Sequence, residues 1–86
     1  MGMVGLTLRV MLESPDTDVL SVKKSIEKIV FPKQIIEKPV AFGLKMLEVL
    51  LVFDDKKGAD IEKIEENIRS IDGVSSVESG DVTLIS

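Results

Sequence analysis

The sequence predicts an α+β fold, a four-stranded antiparallel sheet with two helices packed on one of its faces. Three observations predict it. Apolar residues alternate with polar ones in four separate stretches, the period-two signature of strands. Two further stretches repeat their apolar residues every three or four positions, the signature of amphipathic helices. The order is strand, helix, strand, strand, helix, strand, and each helix carries one narrow apolar stripe, as a helix lying on one side of a sheet does.

In the first strand Leu6, Leu8, Val10 and Leu12 alternate with Thr7, Arg9, Met11 and Glu13. Ser14-Pro15-Asp16-Thr17-Asp18 then stops the strand and offers capping side chains to a helix. Val19, Val22, Ile26, Ile29 and Val30 form its apolar side, with Lys23, Lys24, Glu27 and Lys28 opposite, and Pro32 follows its end. Gln34 to Val40 reads as an extended segment in which Pro39 lacks a ladder donor and belongs at an edge or strand end. After Ala41-Phe42-Gly43, the run Leu44 to Phe53 is the most hydrophobic of the chain and belongs at the sheet's centre, with Glu48 turning its second face toward solvent. Asp54-Asp55-Lys56-Lys57-Gly58 has turn composition. Asp60 is placed to cap a second helix striped by Ile61, Ile64, Ile68 and Ile71 and stopped by Gly73. Val74 to Ile85 forms the last strand, with Gly80 a candidate bulge. This is the split βαβ arrangement of the ferredoxin-like fold, and residues 1–86 form a single domain of that kind.

Composition narrows the chemistry. With 86 residues the chain holds one modest core. Cysteine and histidine are both absent, which excludes disulfides, thiol nucleophiles, the usual structural zinc and any imidazole base. The longest apolar run, Val49 to Phe53, is far below the roughly 20 residues that span a bilayer. Met1 to Gly5 has no secretory pattern, so a cytoplasmic location is expected. The net charge is −4: nine acidic against four basic residues from Asp54 onward, six against seven before it. Neither half reads as a basic stripe for nucleic acid, and a protein partner or a small ligand is expected instead.

Few residues invite a chemical role. Asp54 and Asp55 are adjacent carboxylates without a third ligand at suitable spacing, so a solvated turn explains them better than a metal site. Glu62, Glu65 and Glu66, interleaved with Lys63 and Arg69, make an acidic helix face. The glycines form no phosphate loop and no cofactor motif is present. The odd segment is Lys38-Pro39-Val40-Ala41-Phe42-Gly43-Leu44-Lys45, where a Phe stands between two residues too small to bury it and Gly43 admits backbone angles closed to others. By these residues alone Phe42 is either tucked under the sheet edge or an exposed plug for a partner's pocket.

Pro39-Val40-Ala41-Phe42-Gly43-Leu44-Lys45-Met46-Leu47 resembles the signature of translation elongation factor one beta, most closely the archaeal form. Val10 to Asp18 and Ile71 to Glu78 resemble two further segments of that family in the same order. The resemblance implies the fold above. It also implies a guanine nucleotide exchange factor, not an enzyme that makes or breaks covalent bonds, which releases GDP from the GTPase elongation factor one alpha. It implies too that nucleotide is met only through that partner, with no cofactor, nucleic acid or membrane contacted directly. Phe42 matches the family's aromatic plug, so Ala41, Phe42, Gly43 and Lys45 become the expected partner-binding loop. Family members usually carry a basic residue near the C-terminus, whereas here Asp81-Val82-Thr83-Leu84-Ile85-Ser86 follows with no cation after Arg69. Either the loop and the last strand, Asp81, Val82, Thr83 and Leu84, suffice, or another cation such as Lys45 substitutes. The alternative to exchange activity is a small-ligand sensor that self-associates through its sheet edges.

Overall fold

The computed structural model describes residues 2–54 and 60–84. Strand β1 (Met3–Leu12) leads to helix α1 (Val19–Ile29), then to β2 (Gln34–Pro39), a short turn at Ala41–Gly43, β3 (Lys45–Asp54), helix α2 (Ile61–Arg69) and β4 (Val74–Leu84). The four strands form one antiparallel sheet in the order β2-β3-β1-β4, the ferredoxin-like arrangement expected.

The two central strands are the two with the strongest alternation. Their register, Leu6 opposite Leu51, Leu8 opposite Val49 and Val10 opposite Leu47, puts all six side chains on one face. Those side chains, with Leu12, Val22, Ile26, Ile68, Val74 and Val77, make the buried core, to which both helices contribute. Burying this aliphatic face at about 25 cal/mol per Å² is the main force holding the layers together. Of the predicted isoleucine stripe, Ile68 is fully buried, Ile61 and Ile64 of α2 are half-buried against the core, and Ile71 is half-buried in the turn that follows the helix.

The helix starts follow from the predicted caps. The carboxylate of Asp18 accepts a hydrogen bond from the Ser21 amide at 3.2 Å, and that of Asp60 from the Lys63 amide at 3.1 Å. Pro39 ends the edge strand β2, where its missing donor costs nothing. The turn expected at Asp54 to Gly58 lies, from Asp55 onward, outside the described residues.

Strand β4 is bulged twice. Leu6 pairs with Val82 and Leu8 with Ser79, so Gly80 and Asp81 together face Thr7, as the sequence suggested. A β-carbon on Gly80 would stand 2.9 Å from the Thr7 carbonyl oxygen and 3.3 Å from the Arg9 guanidinium, so this close approach needs glycine. The second bulge, with Met11 opposite Ser76 and Leu12 opposite Val74, brings Val74 and Val77 onto the same buried face although they are three residues apart. Period-two reading has no means of marking it.

Candidate partner-docking end

The turn between β2 and β3 is closed by two backbone hydrogen bonds, Val40 N–H to the Leu44 carbonyl at 2.9 Å and Leu44 N–H to the Ala41 carbonyl at 3.3 Å. Phe42 and Gly43 both have positive φ, 63° and 76°. Left-handed angles at both central residues characterise a type I′ turn, whose twist matches that of the flanking strands. Such turns prefer Asn-Gly, and a bulky residue in the first position is an outlier worth about 1–2 kcal/mol of strain. Packing does not offset it, because Phe42 is 93% exposed. The turn therefore does not tuck Phe42 under the sheet edge; it holds the ring out in solvent. Strain of this sort clusters where proteins bind.

Around this turn the fold gathers the three segments that stood out in the sequence. Pro15, in the turn after β1, lies 3.7 Å from where a β-carbon on Gly43 would stand. That turn is fixed by its own hydroxyls: the Ser14 and Asp16 amides donate to the Thr17 and Ser14 side chains, both at 3.2 Å. Its far side meets the turn after α2, where Glu13 N–H donates to the Gly73 carbonyl at 2.8 Å and Thr17 Cγ2 fills the space a β-carbon on Gly73 would need. Segments distant in sequence thus meet at one end of the sheet.

Lys45 lies at the base of the Phe42 turn. Its ammonium is 3.0 Å from Glu37 Oε1, while Lys23 of α1 stands 3.8 Å from Oε2. The Lys45 hydrogen bond, first of all, holds the Glu37 carboxyl below its ordinary pKa; desolvation opposes it, and the charges of Lys45 and Lys23 add to the lowering. Lys38 pairs with Glu48 at 2.8 Å. Lys45 thus has an internal partner already.

The other predicted residues are elsewhere. Asp81, Val82, Thr83 and Leu84 lie on β4, the opposite edge of the sheet, where Val82 to Leu84 pair with Val4 to Leu6. Val4 is opposite Phe53, eight residues along β3 from Lys45, a separation of roughly 26 Å along the strand alone. The structure does not bring Asp81–Leu84 together with the Phe42 turn. Val82 and Leu84 are exposed nonetheless. Ile85 and Ser86 lie outside the described residues.

Sequence reading missed Phe31. It follows α1 and is 97% exposed, beside a shallow apolar groove formed with Val30, Leu51, Val52, Phe53 and Ile64. Its position next to Pro32, just past the helix stop, was the available signal. Among the described residues no cluster of acidic side chains is arranged to hold a metal ion, and no helix is long and apolar enough to cross a membrane.

Residues 5–85 match the family model of the EF-1 guanine nucleotide exchange domain. The chain belongs to this family. Elongation factor 1-beta of Methanosphaerula palustris is 41% identical over 85 residues, covering 98% of this chain and 99% of that protein. Elongation factor 1-beta of Methanothermobacter thermautotrophicus is 42% identical over 87 residues, covering 95% and 96%. That of Thermoplasma acidophilum is 34% identical over 89 residues, covering 99% and 100%. The chain thus spans nearly the whole length of these archaeal relatives, and all three gathered turns fall within the exchange-domain match.

Proposed function

We propose that this protein accelerates GDP release from elongation factor 1-alpha in the cytoplasm, so that GTP rebinds and translation elongation continues. The observation that carries the reading is Phe42, a bulky side chain held at positive φ and almost wholly in solvent within an exchange-domain chain. The hydrogen-bonded turn fixes the backbone that carries the ring, so only the side-chain torsions are left to order on binding.

An exchange factor needs no reacting side chain. It binds the nucleotide-free GTPase more tightly than the GDP-bound one, and by linkage each ligand weakens the other by the same factor. Apolar burial of Phe42 supplies part of that differential affinity. The nucleotide is reached only through the partner, and covalent catalysis has no part.

Release of fluorescent GDP from the cognate GTPase, followed by stopped flow with catalytic amounts of this protein, tests the reading. Wild type accelerates release. Phe42→Ala lowers the rate more than about tenfold at subsaturating concentration, as loss of an interface anchor worth about 2 kcal/mol does. Release unaffected by folded wild-type protein rejects the reading and favours a ligand-sensor module instead.

A further inference from the structure

Charge is far more polarised in the fold than along the sequence halves. From Val19 to Leu44 the chain carries Lys23, Lys24, Lys28, Lys33 and Lys38 against Glu27 and Glu37, a net +3, which leaves −7 on the remainder of a chain whose total is −4. This stretch is α1, β2 and their connections. It forms one side of the molecule, because β2 is an edge strand and Lys23 of α1 reaches Glu37 of β2. The edge is also where the chain exposes aromatic side chains. Phe31 precedes β2 and Phe42 follows it, both more than nine-tenths exposed, at opposite ends of a strand about 20 Å long.

We propose that the α1–β2 edge is a second docking surface of this exchange domain, continuous with the Phe42 turn, on which the GTPase partner seats an acidic surface with an apolar side chain entering the groove beside Phe31. The inference rests on the exchange reading above. Complementary charge selects the partner: a +3 edge on a chain of net −4 steers an acidic protein surface to this side and repels it from the other. Phe31 and the groove supply the desolvated centre that charge alone lacks. Nucleic acid fits less well, because the stretch holds no arginine and its groove is lined by Val30, Leu51, Phe53 and Ile64, with nothing to pair with a base edge.

The experiment titrates wild type, Phe31→Ala, the double reversal Lys24→Glu/Lys33→Glu, and Phe42→Ala against GDP-loaded cognate GTPase, reading the concentration for half-maximal release at low and high salt. Phe31, Lys24 and Lys33 are exposed, so the variants fold, which thermal melts verify. The expected result is a rise of about fivefold or more for Phe31→Ala. A larger rise is expected for the charge reversal at low salt, shrinking at high salt. If both behave as wild type while Phe42→Ala fails, the second surface is refuted and the exchange reading stands. If Phe42→Ala also behaves as wild type, the Phe42 anchor falls along with the second surface, whereas release unaffected by wild type itself rejects the exchange reading. Lost binding of a labelled RNA with exchange intact identifies nucleic acid as the occupant and overturns the proposal. So does a wild-type dimer in sedimentation that Phe31→Ala makes monomeric with exchange intact.

Discussion

Pro15 stands directly beneath Gly43: its Cγ is 3.7 Å and its Cβ 3.8 Å from where a β-carbon on Gly43 would lie. A methyl group fits there at ordinary contact distance, so the ring brings no clash. What Gly43 cannot give up is its φ of 76°. Gly43→Ala should therefore destabilise through the backbone alone, by about 1–2 kcal/mol. A urea titration reads that loss, and Pro15→Ala should not rescue it.

Gly73 behaves differently, although its φ is also positive at 96°. Its β-carbon would lie 2.7 Å from Thr17 Cγ2, the methyl of a short, stiff side chain, and 3.5 Å from buried Val22. Gly73→Ala should cost more than Gly43→Ala, about 2–4 kcal/mol, because overpacking adds to the backbone strain. Thr17→Ser removes the offending methyl, so the double variant should recover the packing part and leave the backbone part. A double-mutant cycle by denaturation measures that coupling.

These two glycines show where sequence reading works and where it stops. Gly73 ends a helix and Gly43 follows a Phe, so their backbone roles were legible from position. The core was legible for the same local reason, since alternation in β1 and β3 fixes which residues share a face. What Pro15 touches was not, because a contact across 28 residues leaves no periodic trace. The bulge at Ser75 stayed hidden because it breaks the alternation that reveals a strand, whereas Gly80 announced its own. Of the candidate site, Ala41 to Lys45 was legible by its misfit composition, but its distance from Asp81–Leu84 depends on the strand order β2-β3-β1-β4. Phe31 looked like one more apolar residue at a helix end, and only the surface shows that nothing covers it. The basic edge was missed because charge was counted along the chain in halves, while the fold divides it by edge.

Helix α2 attaches through one fully buried side chain. Ile68 is 0% exposed, whereas Ile64 is half-buried and lines the groove beside Phe31. Ile68→Ala should cost about 2–5 kcal/mol, since the closed core around it cannot collapse into the space. Ile64→Ala should cost less than half as much. Chemical denaturation of both variants checks the ratio, and equal costs would mean that the groove is closed in solution.

Glu37 gives the stability a small acid dependence. Its carboxyl is held below the ordinary value by the Lys45 hydrogen bond first, with desolvation opposing and the charges of Lys45 and Lys23 adding to the lowering. A depressed carboxylate contributes stability that is present above its unfolded pKa and lost as pH falls through its folded pKa. The loss should therefore begin in the ordinary glutamate range, where the unfolded chain starts to take up the proton, and be complete below the depressed folded value. Glu37→Gln should lower the melting temperature slightly at neutral pH and not at all at strongly acid pH. Because the ion pairs lie at the surface, added salt should shrink the neutral-pH difference.

Phe42 offers the sharpest separation of folding from function. Its φ of 63° and ψ of 29° are strained for any residue with a β-carbon, so Phe42→Ala keeps the strain while removing an exposed ring. Phe42→Gly removes both. Glycine's larger unfolded-state entropy opposes this by roughly 0.5–1 kcal/mol, so the net gain is small. The glycine variant should thus be at least as stable as the alanine one, by up to about 1 kcal/mol, and neither should fall much below wild type. In the exchange assay the order does not follow: both variants lack the anchor and both should release GDP slowly, with glycine no better than alanine despite its more relaxed turn. Melting curves and release rates on the same two samples decide it. A glycine variant clearly less stable than alanine would show that the left-handed turn is not populated in solution. Exchange retained by either would mean that the strain at this position serves something other than presenting the ring.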